Sequence, residues 1–509
     1  MIGNIEKDTY SSLKKEEKMK SINQKETPLY TTLINHFKKN PISGHVPGHK
    51  YGSNLPDDKE IQHSFHEILK LDVTEITGLD DLHDPSGAIH DAQTLAAKLY
   101  DADETFFLVN GSTVGNLAMI MSTCKNGGRV LVQRNCHKSI MNGIELAGAQ
   151  PVFISPQIHE EIGVPTSIKI EQVKLALEQF EDIQALVITN PNYYGVSLPL
   201  EDIIQYAHSK KIPVLVDEAH GAHFVIGEPF PRSALSMGAD LVVQSAHKTL
   251  PAMTMGSFLH VKSKLVDKEK VSYYLRMLQS SSPSYPIMAS LDIARYHLAS
   301  FTQQDVKHIE ENIKKLVIEL NTIEEIEVVG NEKNKDPLKL ILRSTTELSG
   351  YELQRRLEEE NLFVELADPL NVLFILPLSH EYSFHDMISR IRKAVHRNEK
   401  QPNTFTKRNE LTFPMDISEL ALQFSEQHKF HVEEVQLDKV VGKISAETIV
   451  PYPPGIPVLI KGERISQNVV DYIINLATYG ARFQGTDFTT KHTILIFGFH
   501  SDTEKESQH

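Results

Sequence analysis

Short apolar runs alternate with amphipathic helical segments between residues 105 and 216, and this alternation constrains the fold more than any other feature. A run that is apolar throughout suits a strand buried on both faces, which is typical of parallel sheets covered by helices. The runs that we predict as strands lie at 106–109, 129–132, 151–154, 185–188 and 213–216. The pattern predicts an α/β fold with a largely parallel sheet, and ligands bind beyond the carboxyl ends of such strands.

The chain has 509 residues, which exceeds what one hydrophobic core usually serves, so we expect several domains. The polar stretch at 397–410 is typical of a linker between two of them. We predict an N-terminal arm and helix at 1–40, a large domain with the parallel sheet at 41–300, a smaller α/β domain at 301–400 and a C-terminal α+β domain at 401–509.

Charge and cysteine content limit the kind of partner and the compartment. The formal net charge of −15 argues against phosphate-backbone binding as the main activity, because that activity needs a basic footprint. Cys124 and Cys136 form no CxxC pair, which fits a reducing compartment. No stretch is apolar enough for a signal peptide or a bilayer span. We therefore expect a cytoplasmic protein that binds neither nucleic acid nor a membrane.

An amine and an acid follow two of the apolar runs. Lys248 comes shortly after the run at 240–244, and a lysine there is costly to desolvate unless its amine is used or paired. Asp217 comes directly after the run at 213–216. A surface lysine and a carboxylate that only caps a helix are the alternatives. The pair favours an enzyme in which Lys248 forms an imine and Asp217 faces a cation.

A turn at Gly111-Ser112-Thr113 follows the first predicted strand and opens a helix, where amides and hydroxyls bind phosphate. Side chains that only cap this helix are the alternative. An amine for the aldehyde, an acid for the pyridine nitrogen and a turn for the phosphate are the three attachment points of pyridoxal phosphate. The sequence therefore predicts pyridoxal 5'-phosphate as the cofactor.

A histidine, His137, stands at the next junction of a strand and a helix. It could stack on the cofactor ring from the face opposite Lys248, and a capping or surface histidine is the alternative.

The segment that begins at Asp217 allows two other interpretations, which the sequence supports less well. The letters DEAH at 217–220 also mark nucleic-acid helicases, but the phosphate loop that those need is absent from the sequence. His220 and His223 could pair on a metal, but HExxH is absent and no third ligand is placed by spacing, so we predict no metal.

Five motifs together resemble the ornithine/lysine/arginine decarboxylases, a group of pyridoxal-phosphate enzymes. They are HVPGHK at 45–50, LDDLH at 79–83, VDEAHG at 216–221, SAHK at 245–248 and PYPPGIP at 451–457. The chain is similar to the short members found in Gram-positive bacteria, over residues 28–463. The resemblance implies fold type I, the aspartate-aminotransferase type: a mainly parallel seven-stranded sheet flanked by helices, a smaller α/β domain and a C-terminal decarboxylase domain.

The resemblance also implies roles for single residues. Lys248, Asp217 and His137 would be catalytic, with Lys248 bound to the cofactor aldehyde, Asp217 on the ring nitrogen and His137 stacked on the ring. Cofactor contacts would further come from Ser112, Thr113, Asn190, His220, Ser245, His247 and, across a dimer interface, Ser281 or Ser282. Substrate contacts would come from His49, Asp81 and Glu463, although Lys461 stands where the family often has a proline before Gly-Glu.

The implied reaction is α-decarboxylation of a basic amino acid in polyamine metabolism, by a homodimer with shared active sites. Arginine is the favoured substrate, with lysine and ornithine next. One alternative is an aminotransferase or lyase of the same fold, for which Arg343 is the candidate to hold a substrate carboxylate. Another is a catalytically silent relative with a regulatory or scaffolding role.

Overall fold

A computed structural model of the protein describes residues 23–330, 334–396, 416–452, 455–484 and 492–498. The arm predicted at the N-terminus falls largely on residues 1–22, outside this range. The linker predicted at 397–410 also lies outside the described residues. Within the described residues, no helix is both long enough and apolar enough to cross a bilayer.

The large sheet carries the strands that the apolar runs predict. Its first seven strands are β1 (Glu104–Leu108), β2 (Arg129–Gln133), β3 (Gln150–Ile154), β4 (Ile183–Thr189), β5 (Val214–Asp217), β6 (Leu241–Gln244) and β7 (Ser257–Val261). They lie in the order β1-β7-β6-β5-β4-β2-β3. Neighbours from β6 to β3 run parallel, whereas β7 runs antiparallel to β1 and β6. The predicted mainly parallel seven-stranded sheet is confirmed.

The part of the chain that carries this sheet also contains helices. They are α1 (Pro28–Phe37), α2 (Lys59–Leu69), α3 (Ala88–Leu99), α4 (Gly111–Thr123), α5 (Lys138–Leu146), α6 (Ile170–Gln179), α7 (Glu201–Ser209), α8 (Ala246–Thr249), α9 (Lys268–Leu278) and α10 (Tyr285–Ser300). Helix α4 packs directly on the sheet, since a Cβ at Gly115 would stand 2.8 Å from Leu108 Cδ1 and 3.0 Å from Val243 Cγ2. This close approach places the first turn of α4 at the carboxyl edge of the strands.

A second sheet follows the long helix α11 (Gln303–Leu320). Its strands are β8 (Ile326–Val329), β9 (Lys339–Ser344), β10 (Leu366–Ala367) and β11 (Asn371–Ile375), and its helices are α12 (Gly350–Glu359) and α13 (His385–Val395). The order is β10-β11-β9-β8, and every neighbouring pair is antiparallel. Residues 301–396 therefore contain both an antiparallel sheet and helices.

The C-terminal segment has mixed structure and joins the large sheet. Its elements are β12 (Ile417–Glu419), β13 (His431–Gln436), α14 (Gln467–Thr478) and β14 (Thr493–Gly498). Strand β12 pairs antiparallel with β3, so it forms an eighth strand of the large sheet, and β13 pairs with β14. The C-terminal segment is therefore anchored beside the strand ends where the sequence predicts a site.

Candidate active site

A cavity of about 510 Å³ opens at the carboxyl ends of the parallel strands. The large sheet contributes residues such as Ser112 and Asp217, the small sheet contributes Leu366, and the C-terminal segment contributes Tyr452 and Tyr472. Three separate parts of the chain therefore enclose one space. Its volume lies within the range of small-molecule binding sites.

The Lys248 amine projects into this cavity. Its Nζ lies 3.0 Å from His220 Nε2 and 5.1 Å from the centre of the Tyr193 ring. Burial lowers the pKa of Lys248, while the carboxylates of Asp217 and Glu365 act in the opposite direction. A surface lysine is therefore excluded, and the amine is more easily deprotonated than an ordinary lysine, as a nucleophile requires.

The Asp217 carboxylate is 3% exposed and lines the same cavity. Its Oδ2 accepts a hydrogen bond from Asn116 Nδ2 at 2.9 Å, and its Oδ1 accepts one from the Ala219 amide at 3.2 Å. Both donors are neutral, and no described residue forms an ion pair with Asp217. A buried carboxylate without a counter-ion is costly, and a protonated pyridine ring would supply the missing positive charge.

The His137 ring lies between the large sheet and the C-terminal turn. Its Nδ1 accepts a hydrogen bond from the Ser139 amide at 3.2 Å, so it caps helix α5, and its ring also lines the cavity. A Cβ at Gly455 would stand 3.2 Å from the ring, so only glycine lets the turn approach so closely. Burial lowers the pKa of His137, which favours its neutral form, although the Asp217 carboxylate acts in the opposite direction. His137 therefore caps α5 and lines the cavity at the same time.

The phosphate cradle is predicted at the first turn of α4. Gly111 has φ +75°, a value that favours glycine, and Ser112 Oγ lies 2.7 Å from Ser245 Oγ. Thr113 and His247 line the same end of the cavity, and His247 Nδ1 donates to the Gly256 carbonyl at 3.0 Å. Hydroxyls and free amides at a helix N-terminus bind phosphate well. With the lysine and the aspartate, this donor set fits pyridoxal phosphate.

The cavity wall also presents buried polar atoms that have no hydrogen-bond partner in the described chain. Asn116 Oδ1 and Thr189 Oγ1 are two of them, and both residues line the cavity. Buried polar atoms are normally satisfied, so unsatisfied ones beside a cavity indicate a polar ligand or water. This observation supports the fit of a polar cofactor independently of the lysine.

Two family profiles match the chain. The profile described as Orn/Lys/Arg decarboxylase, major domain, matches residues 27–335, and the profile of the C-terminal domain matches residues 405–493. The chain belongs to the Orn/Lys/Arg decarboxylase family. The family resemblance inferred from the five motifs is thereby confirmed.

Two Bacillus relatives support this assignment, and two solved structures share the fold. The Bacillus subtilis protein YaaO is 47% identical over 92% of this chain and 98% of its own length. An arginine decarboxylase of Bacillus subtilis is 36% identical over 93% of this chain and 98% of its own length. The constitutive lysine decarboxylase of Escherichia coli superposes with a TM-score of 0.76 at 19% identity, over 98% of this chain and 85% of that one. A serine palmitoyltransferase of Sphingomonas wittichii, at 18% identity, covers 66% of this chain and 84% of that one with a TM-score of 0.51.

Several predicted family positions lie away from the cavity. Asn190 Nδ2 donates to Ser197 Oγ at 3.0 Å, and its Oδ1 accepts from the Leu198 amide at 3.0 Å. These contacts use both the nitrogen and the oxygen of the Asn190 side-chain amide, and they hold the loop after β4. Ser281 and Ser282 are exposed ahead of α10, which is compatible with a contact to a second subunit. Cofactor contacts by Asn190 and Ser282 stay predictions.

The predicted substrate residues in the two early loops have local partners. His49 Nε2 lies 3.1 Å from Asp72 Oδ2, and Asp81 Oδ1 accepts from the His83 amide at 2.8 Å. Both residues lie outside the cavity lining of a single described chain. Their role at the substrate stays a prediction.

Glu463 is bound by an arginine instead of facing the cavity. Its two carboxylate oxygens accept from Arg134 Nε at 2.8 Å and Arg134 Nη2 at 2.7 Å, and Oε2 also accepts from the Ile460 amide at 2.8 Å. The ion pair joins the C-terminal segment to the loop after β2, next to His137. The family resemblance implies a substrate contact for Glu463, and the structure shows a bidentate ion pair of Glu463 with Arg134.

Removing one partner of this pair leaves a buried charge uncompensated. The side chains of Arg134 and Glu463 are 5% and 18% exposed. We expect Glu463→Gln to lower the free energy of unfolding by about 3 kcal/mol, measured by urea denaturation. Lys461→Met is the control, because its 3.5 Å contact with Glu145 is exposed and should matter by less than about 1 kcal/mol. If both substitutions lowered the free energy of unfolding by the same amount, Arg134 and Glu463 would not form a stabilising buried ion pair.

The alternatives left open by the sequence can be compared with the geometry. Arg343 donates to Asn371 Oδ1 at 2.8 Å and to the Glu161 carbonyl at 2.9 Å, so its guanidinium is used within the protein. Arg343, the candidate residue of the aminotransferase alternative, therefore uses its guanidinium in contacts within the protein and not at a substrate carboxylate. His223 Nε2 pairs with Asp336 Oδ1 at 3.1 Å, and the described residues contain no group of three or more possible ligands that could hold a metal ion.

Sequence reasoning missed the residues that the small sheet contributes. Lys339 Nζ lies 2.7 Å from His220 Nδ1, and Asp368 lines the cavity beside Tyr351 and Tyr472. The one available signal is the lysine at the start of β9, a charge directly before the apolar run Leu340-Ile341-Leu342.

Proposed function

We propose that the protein is a pyridoxal-phosphate-dependent decarboxylase of a basic amino acid, with arginine as the first candidate and lysine and ornithine next. The observation that carries the proposal is the convergence of Lys248, Asp217 and His137 on one cavity in a member of the Orn/Lys/Arg decarboxylase family. Arginine is favoured because relatives at 36% identity bear the name arginine decarboxylase. The product, agmatine in that case, would serve polyamine synthesis.

Pyridoxal phosphate, when bound, would accept the electron pair released as the substrate carboxylate leaves. Asp217 would hold a proton at the ring nitrogen, which keeps the ring electron-deficient. His137, fixed by its cap and by Gly455, would hold the ring in place. Lys248, with its lowered pKa, would alternate between cofactor attachment and a free amine that delivers a proton to the α-carbon. The enclosed cavity would exclude bulk water.

The far end of the cavity offers a negative group for a basic side chain. The Asp368 carboxylate accepts from the Leu370 and Asn371 amides at 2.7 and 2.8 Å, and the Tyr194 hydroxyl also donates to it. Burial and then the Asp368 carboxylate raise the pKa of Tyr472 to about 12. We propose that the guanidinium or ammonium group of the substrate displaces the Tyr194 hydroxyl and binds the Asp368 carboxylate in its place.

Asp368→Asn is expected to weaken arginine binding while it leaves the chemistry largely intact. Loss of a charge-assisted contact of about 2 kcal/mol corresponds to a KM for arginine raised roughly 10- to 100-fold. Steady-state kinetics would show this as a KM effect, with kcat changing much less. Asp386→Asn, an exposed carboxylate on α13, is the matched control. An unchanged KM would contradict a substrate contact at Asp368.

The reaction itself is tested with purified protein and pyridoxal phosphate. Arginine, lysine and ornithine are supplied separately, and released carbon dioxide and the amine product are measured. Carbon dioxide with agmatine, cadaverine or putrescine supports decarboxylation and identifies the substrate. Consumption of an added keto acid without carbon dioxide would support the aminotransferase alternative instead.

Partners and location are part of the proposal. We propose a homodimer in which the exposed segment with Ser281 and Ser282 reaches the cavity of the other subunit. Cys124 and Cys136 are both buried free thiols, which suits a reducing cytoplasm. Sedimentation of the cofactor-loaded protein tests the dimer.

A further inference from the structure

A line of buried side chains joins Asp217 to His137, the two residues that would contact the cofactor ring under the proposed function. Asn116 Nδ2, on α4, donates to Asp217 Oδ2 at 2.9 Å and to Ser139 Oγ, on α5, at 2.8 Å. Ser139 Oγ in turn lies 2.8 Å from His137 Nδ1. Asn116 and Ser139 are each 1% exposed, so bulk water does not compete for these contacts. Two neutral side chains therefore connect the aspartate with the histidine.

The direction of each hydrogen bond in this line follows from its Asp217 end. An ionised carboxylate only accepts, so the nitrogen of the Asn116 amide, and not its oxygen, faces Asp217. The second hydrogen of that nitrogen goes to Ser139 Oγ, which therefore accepts from Asn116. Within the described residues, His137 Nδ1 is then the acceptor left for the Ser139 hydroxyl hydrogen.

A second donor at His137 Nδ1 gives the same assignment independently. The Ser139 amide lies 3.2 Å from Nδ1, and an amide N–H can only donate. Nδ1 therefore carries a lone pair, and the proton of the neutral ring is on Nε2. Nε2 lies beside the C-terminal turn, where a Cβ at Gly455 would stand 3.2 Å from it.

Two donors on one nitrogen also oppose protonation of the ring. A proton on Nδ1 would face the Ser139 amide and would require the hydroxyl to turn away, so both hydrogen bonds would be lost. Burial lowers the pKa of His137; the Asp217 carboxylate acts in the opposite direction, and Lys248 and Lys138 act in the same direction as burial. The two hydrogen bonds are a separate, geometric reason for the ring to stay neutral.

We propose that Asn116 and Ser139 are positioning residues that hold His137 as one neutral tautomer, with the ring proton on Nε2 and the lone pair on Nδ1. This inference rests on the proposed function, because it concerns the imidazole that would lie against the cofactor ring. Neither residue touches a reacting atom in this scheme. Ser139 acts by donating to Nδ1, and Asn116 acts by fixing the direction in which Ser139 donates.

A purely structural role is the simpler account. Ser139 would then fill space in the first turn of α5, and Asn116 would only satisfy the Asp217 carboxylate. That account predicts that loss of the Ser139 hydroxyl changes stability and leaves the pKa of His137 unchanged. The two accounts therefore differ in a quantity that can be measured.

Other titratable groups surround His137 and are common to every variant compared below. They lie after β5, after β6, on α5, on the loop before α5 and in the C-terminal segment, and they are Asp217, Lys248, Lys138, Cys136, Arg134, Glu463 and Tyr452. None of them is altered, so a shift in the pKa of His137 is assigned to the substituted residue.

The test measures the pKa of His137 alone. The rate of hydrogen–deuterium exchange at its imidazole Cε1–H is followed against pH by mass spectrometry of the peptide that contains residue 137. Ser139→Ala removes one donor from Nδ1, which weakens the neutral form. We expect the midpoint to rise by about one pH unit, a tenfold gain in proton affinity, which corresponds to the loss of one hydrogen bond.

Two further substitutions separate the hydroxyl from its bulk. Ser139→Thr restores the hydroxyl and is expected to return the midpoint to the wild-type value. Ser122→Ala is the control and should leave the midpoint unchanged, because it removes a buried hydroxyl of α4 that donates to the Met119 carbonyl at 3.0 Å. A midpoint in Ser139→Thr equal to that of Ser139→Ala would overturn the inference.

Asn116→Leu tests the other half of the line and does not depend on whether Ser139→Ala folds. The Ser139 hydroxyl could then turn and accept from a protonated Nδ1, so we expect the midpoint to rise by about half a pH unit or more. An unchanged midpoint in either folded variant would overturn the inference. The measurement needs no turnover and is made with and without cofactor. Absence of a visible cofactor band and of carbon dioxide release in the wild-type protein would instead overturn the proposed function.

Discussion

Replacing Lys248 with alanine is expected to abolish both the covalent attachment of the cofactor and decarboxylation. The amine is the group at this cavity placed to form an imine, and its Nζ is held 3.0 Å from His220. We expect the visible band of the bound cofactor to disappear and the rate of carbon dioxide release to fall by about 1,000-fold or more. Absorbance spectroscopy and borohydride reduction followed by mass analysis of the peptides measure the first effect.

Lys262→Ala is the control for this experiment. Lys262 pairs with Asp101 at 2.7 Å on the surface, so its loss should change neither the band nor the rate. A band that persists in Lys248→Ala would place the attachment on another lysine. Cofactor-free wild-type protein with no turnover of any basic amino acid would favour the silent, scaffolding alternative.

Strands β1 to β6 of the large sheet were predictable because each contains a local apolar run. Strand β7 was not, because Ser257 and His260 interrupt its apolar character. In the structure His260 is fully buried and makes hydrogen bonds of 2.8 Å to Thr105 and 3.0 Å to Gln244. Partners on two neighbouring strands satisfy its polar atoms, and a sequence pattern does not reveal such partners.

Part of the site was predictable for a similar reason. Lys248 and Asp217 follow the parallel strands β6 and β5, and Ser112 follows β1, which runs in the same direction because both β1 and β6 are antiparallel to β7. The carboxyl ends of strands that run in one direction meet at one edge. Lys339 and Asp368 belong to an antiparallel sheet whose position over the cavity depends on how two layers pack. No local periodicity encodes that packing, so these residues emerged only from the structure.

Glu463 shows a contact that the sequence did not reveal. The family resemblance implies a substrate contact for it, which stays a prediction, and the structure shows an ion pair with Arg134. Arg134 provides two donors at 2.7 and 2.8 Å, in the fork geometry that carboxylates favour. No sequence pattern predicts that Arg134 and Glu463 form a pair, because they lie far apart along the chain.

Asp217→Asn is expected to separate cofactor attachment from catalysis. The asparagine keeps the shape and an acceptor for the Ala219 amide, but it removes the negative charge that would hold a proton at the ring nitrogen. We expect the visible band to remain, because Lys248 is intact, and kcat to fall by about 100- to 1,000-fold with a smaller change in KM. Steady-state carbon dioxide release and absorbance spectra measure the two effects on the same preparation.

The matched control is Glu218→Gln, one residue further along the chain. Glu218 is fully buried, and its carboxylate accepts from Ser233 Oγ at 2.8 Å and from the Ala234 amide at 2.6 Å, away from the cavity lining. Loss of charge there should affect stability more than turnover. If Asp217→Asn retained wild-type kcat, the ring nitrogen would not depend on this carboxylate, and the proposed orientation of the cofactor would be wrong. A large fall confined to Asp217→Asn would instead fix that orientation, because a single buried charge would then control the chemistry without controlling attachment.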